Sequence, residues 1–136
     1  MDKQALGRYA KNKGKRGERE IARLLKAHGF DNARRTSQYC GKTGDASDVV
    51  GLPGYHVEVK YVEKLNIWKA VEQAANDAKE HWDRNHEYVE PVVFYRKKGV
   101  DWRVSVDAEH FLDLVKAANA YFEMKAGVKD EGTNRG

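Results

Sequence analysis

Asp48, Glu58 and Lys60 are the residues of this chain whose types and spacing suit chemistry. Hard divalent cations take oxygen ligands, usually one or two carboxylates completed by water and substrate phosphate, and Asp48 and Glu58 match that need. An ammonium two residues beyond the Glu can orient an attacking water, steady a phosphate oxygen or help lower the water's pKa. Together the three fit metal-assisted hydrolysis. The ordinary alternative is an amphipathic strand that pairs Glu58 with Lys60 in solvent.

A hairpin must position them. Val49, Val50 and Leu52 favour an extended chain, Pro53 suits the first central position of a turn, and Gly54 supplies the positive φ that a type II turn requires. The chain therefore reverses at Pro53-Gly54. On the returning strand Tyr55, Val57, Val59 and Tyr61 face one way, while His56, Glu58 and Lys60 face the other. Pairing across the turn brings Asp48 towards Glu58 if the register allows it. His56 shares that polar face, where a tolerated edge histidine is the simplest account.

The surrounding sequence resembles the PD-(D/E)XK nucleases, with Asp48 followed by Glu58-Val59-Lys60. Gly17-Glu18-Arg19-Glu20, then Gly29-Phe30 and Arg34, narrow the resemblance to the archaeal-type Holliday junction resolvases, which phages also encode. The matching motifs span residues 14 to 60. Ser47 stands where the nominal motif has Pro, and Tyr39 to Ala46 form a longer Gly-containing loop than compact members carry. The resemblance implies a single restriction-endonuclease-like α/β domain whose central mixed five-stranded sheet is flanked by helices. It implies a metal-dependent endonuclease that resolves four-way DNA junctions by paired phosphodiester hydrolysis. Glu18, Asp48, Glu58 and Lys60 would be catalytic, and Glu18, Asp48, Glu58 and the Val59 carbonyl would bind Mg2+, with Mn2+ as a substitute. Lys13, Lys15, Arg16, Arg19, Arg34, Arg35, Ser37 and Lys42 would contact DNA, with Arg34 and Arg35 equally placed for the position nearest the site. Two cuts in one junction need two active sites, so the partners expected are branched DNA and a second copy of the chain, without a small-molecule cofactor.

Glu20 rivals Glu18 on its own chemistry, because acidic residues in a first helical turn often complement the helix dipole. Other rivals are a repair or end-processing nuclease with the same Asp-Glu-Lys set and a DNA-binding module without catalysis.

At 136 residues, 40% hydrophobic and 34% charged, the chain suits one domain of modest core, taken as 14–124 between a basic flexible arm (1–13) and a flexible tail (125–136). Net charge is +4, and Lys3, Arg8, Lys11, Lys13, Lys15 and Arg16 crowd the N-terminus, as suits phosphate contact. A lone cysteine, Cys40, excludes an intramolecular disulfide and points to a reducing, cytoplasmic setting. No apolar run approaches the roughly 20 residues of a membrane span.

Periodicity adds three helices. The first is expected over about 14–28, with Ile21, Leu24, Leu25 and His28 on one face and Gly29 as its end. The second is expected over about 66–82, burying Ile67, Trp68, Val71, Ala74, Ala75, Ala78 and Trp82, with Gln73 an ordinary surface residue. The third follows Asp107 as N-cap and aligns Phe111, Leu114, Val115, Ala118, Tyr121 and Phe122. Strands are expected at 32–36, on both sides of the Pro53-Gly54 turn, at 91–95 and at 102–106, the last two joined by the basic Arg96-Lys97-Lys98-Gly99 turn.

Overall fold

The computed structural model of the protein describes residues 2–36 and 47–134. Its elements in chain order are α1 (Lys3–Ala27), β1 (Arg34–Arg35), β2 (Val49–Val50), β3 (Tyr55–Tyr61), α2 (Ile67–Asn85), β4 (Glu90–Arg96), β5 (Arg103–Ser105) and α3 (Ala108–Asn134). The five strands form one sheet in the order β1-β2-β3-β4-β5, with β3 and β4 parallel and the other neighbours antiparallel. This is the mixed sheet of a restriction-endonuclease-like α/β fold. The chain divides into two compact units, residues 1–105 and 106–136. Every strand belongs to the first.

Helix α1 starts well before the expected boundary. Asp2 caps it by accepting a hydrogen bond from the Ala5 N–H at 2.7 Å, so residues 3–13, expected to be an arm ahead of the helix, form its first turns. Gly29, at φ +94°, ends the helix with the Phe30 N–H returning to the Leu25 carbonyl at 3.0 Å. Ile21, Ala22 and Leu25 are buried, but His28 is the exposed C-cap rather than part of the apolar face. Where α1 crosses β3, Gly17 lets the backbones approach: a Cβ there would stand 3.0 Å from the Tyr61 Cβ and 3.4 Å from Val59 Cγ1.

The hairpin forms as its residues require. Tyr55 N–H closes the turn on the Leu52 carbonyl at 3.2 Å and Gly54 has φ +86°. Gly51 has a second function. Its φ is +102°, and a Cβ would lie 2.5 Å from backbone atoms of Ala33, so only glycine allows the segment before β1 to pass this close.

Helix α2, capped by Asn66, lies over the opposite face of β3 and buries Ala70, Ala74 and Ala78. The expected aromatic anchors are not there: Trp68 is 79% exposed and Trp82 47%. A stripe of alanines lets the helix backbone sit close to the sheet, where it packs on Val93 with Leu65, Ile67, Val71 and Tyr95 around it. Because α1 and α2 cover both faces of a central strand, His56 and Glu58 are buried at 3% and 4% exposure. That overturns the edge-histidine reading and the solvent-exposed polar face. Helix α3 begins at Asp107, whose carboxylate accepts from the His110 N–H at 3.1 Å, and runs through residues expected to be tail. No helix among the described residues is long and apolar enough to cross a membrane.

Candidate active site

Asp48 stands one residue ahead of β2, where pairing with β3 is reduced to Val49 opposite Val57. Its backbone N–H still donates to the Val57 carbonyl at 2.9 Å, but beyond that the strands part. The Asp48 carboxylate takes the vacated ladder position and accepts from the Val59 N–H at 2.8 Å. An extended residue directs its N–H and C=O to the same side, so the Val59 carbonyl also lies towards Asp48. The register left open by the sequence is thus one that sets Asp48 beside Glu58.

The two carboxyls perturb each other. Burial, Asp48 and Asp77 raise the Glu58 pKa to about 8, against a lowering by Lys60, and Glu58 Oε2 has no hydrogen-bond partner among the described residues. Burial likewise raises Asp48, with Glu18 and Asp77 adding to the shift while the Val59 N–H and Lys60 oppose it. A buried acid beside a half-buried one, without a full complement of donors, needs a proton or a cation between them.

Glu18 approaches from α1 and Lys60 from the α2 side of β3. Glu18 receives the Arg35 guanidinium, while Arg34 is exposed, and the Glu18 charge acts on Asp48. Glu20 instead binds Arg96 at 2.9 Å. Lys60 Nζ donates to Gln73 Oε1 at 3.3 Å, so Gln73, exposed on α2 as expected, is also a neighbour of Lys60.

Of the expected DNA contacts, Lys13 is largely covered and bound to Glu63 at 2.6 Å, and it lies 4.7 Å from the Tyr61 ring centroid. Arg16 and Arg19 are exposed and Lys15 is half-buried. Arg16 joins Tyr9, Lys13, Tyr61, Arg96 and Lys98 around a cleft of about 380 Å³. Ser37 and Lys42 lie outside the described residues. His56, Asp77 and Arg96 are the polar neighbours that sequence reasoning passed over or discounted. For Asp77 the available signal was its place one helical turn after Gln73 on α2.

The family model of the archaeal Holliday junction resolvases matches residues 9–130. The chain belongs to that family. No curated protein matches the sequence. As a Holliday junction resolvase the protein is a structure-selective endonuclease.

Proposed function

We propose that this resolvase uses Mg2+, with Mn2+ as a substitute, held by Asp48, Glu58 and the Val59 carbonyl, with Glu18 as a further ligand or an anchor for water. The observation that carries this reading is the pairing of buried Glu58 with half-buried Asp48, both acids raised in pKa and Glu58 Oε2 without a partner among the described residues. The donor set is all oxygen, as a hard cation prefers. When bound, the cation polarises the scissile phosphate and lowers the pKa of the attacking water.

The remaining work falls to the chain's own residues. Lys60, steadied by Gln73, orients the water and offsets charge growing on the phosphoryl oxygens. Arg35 holds Glu18 in place next to Asp48. Lys15, Arg16, Arg19 and Arg34, with the basic start of α1, fit contacts to the DNA backbone, while Lys13 and Arg35 act mainly through their carboxylate partners. A junction has two scissile strands and each chain one site, so the working unit is a two-fold homodimer, placed in the cytoplasm with its DNA.

The experiment is cleavage of an end-labelled four-way junction with Mg2+, with Mn2+ and with chelator. Cuts that depend on either ion support the assignment; equal cutting in chelator overturns it.

A further inference from the structure

Beside the Asp48-Glu58 pair, on the α2 side, lies a donor set that shares Glu58 with the nuclease reading and adds two residues, His56 and Asp77, that this reading does not use. His56, Glu58 and Asp77 each direct one ligand atom into a common space, with these atoms within 4.8 Å of one another. His56 Nε2 lies 3.8 Å from Asp77 Oδ2, beyond hydrogen-bond reach. Both His56 and Glu58 are more than nine-tenths buried, and among the described residues His56 Nε2 and Glu58 Oε2 are both without a hydrogen-bond partner. Burying two such atoms face to face is costly unless something lies between them. The other ring nitrogen, Nδ1, is 3.0 Å from Ser47 Oγ, a contact of the kind that orients an imidazole for ligation through Nε2.

We propose that His56, Glu58 and Asp77 form a second divalent-cation site that takes ions accepting imidazole nitrogen, such as Zn2+ or Co2+, sharing Glu58 with the catalytic pair. Its donor chemistry differs from that of the all-oxygen set at Asp48: an imidazole nitrogen suits zinc and its neighbours, whereas Mg2+ favours oxygen. Tetrahedral zinc at about 2.0–2.1 Å from each ligand requires donor separations of roughly 3.3 Å, so side-chain rotation, mainly of the half-buried Asp77, closes the gap. Lys60, whose charge also reaches both carboxylates, is held back by Gln73 and yields part of its compensating role when an ion enters.

The test uses the full-length Asp48→Asn protein, which lacks a catalytic ligand, in the absence of DNA, so its result is independent of the nuclease assignment. Titration with Zn2+ by calorimetry and with Co2+ by visible absorption should show one ion per chain. Adding His56→Gln or Asp77→Asn should weaken binding by about tenfold or more. Asp77 is half-buried and not part of the core, so Asp77→Asn serves if His56→Gln fails to fold. X-ray absorption of the one-to-one zinc complex should show one imidazole in the shell. Unchanged affinity in Asp77→Asn, or an all-oxygen shell, overturns the proposal.

Discussion

Glu58 is held where its charge is unwelcome, and the same placement readies it to accept a cation. Replacing it by Gln, or Asp48 by Asn, removes charge at nearly constant volume, so junction cleavage should fall to background while junction binding persists. Parental cutting rates by either variant at saturating Mg2+ would refute the metal assignment. The stability consequence runs the other way. The folded protein keeps protons on these carboxyls that the unfolded chain releases above its ordinary carboxylate range, so metal-free stability falls as pH rises towards the Glu58 value of about 8. His56, lowered to about 4, acts in the opposite direction: its contribution is present above the ordinary value of 6.5 and lost as pH falls from there. Between pH 6.5 and 8 the carboxyl effect therefore acts alone. Urea melts in chelator should lose on the order of 1 kcal/mol per pH unit over that window, and Glu58→Gln should flatten the slope.

At the scale of elements, the hairpin depends on a glycine outside its turn. Gly51→Ala adds a methyl group within 2.5 Å of the Ala33 backbone and forces alanine to φ +102°. Left-handed strain and overpacking together predict a loss of about 2–4 kcal/mol, read as a lower denaturation midpoint. Gly54→Ala, also at positive φ but with nothing within 4 Å, should lose less. An equal loss would assign the effect to φ alone. The turn was legible because Pro53-Gly54 is local chemistry, and strand alternation was enough to group His56, Glu58 and Lys60. The burial of that polar face was not legible, because it depends on α1 and α2 covering the two sides of β3. Residues such as Trp68 and Trp82 suggested an aromatic contact face on α2, whereas the alanine stripe is what fits against the sheet. Likewise Glu18 and Glu20 are chemically alike in sequence, and only the register of α1 on β3 separates the one beside Asp48 from the one bound to Arg96.

For the whole molecule, the family match gives the substrate and the basic start of α1 suggests part of its grip. Deleting residues 1–11 removes Lys3, Arg8 and Lys11 while sparing Lys13 and its partner Glu63. If those three meet phosphates, the slope of log binding constant against log salt should become shallower by up to about 3, at roughly 0.9 per lost contact. An unchanged slope would remove this segment from the DNA interface. The dimer proposal has a sharper geometric consequence. Each chain carries one Asp48-Glu58-Lys60 set, so paired incisions in one junction require two chains related by a two-fold axis, matching the symmetry of the substrate. Sedimentation of the protein at working concentration should give a dimer. Mixing active protein with Glu58→Gln protein should then produce hybrids that nick a supercoiled cruciform plasmid once, enriching open circles over linear product. Linear product that declines only in proportion to the active chains, with no rise in open circles, would mean that both cuts come from one chain and that the dimer is not the cutting unit.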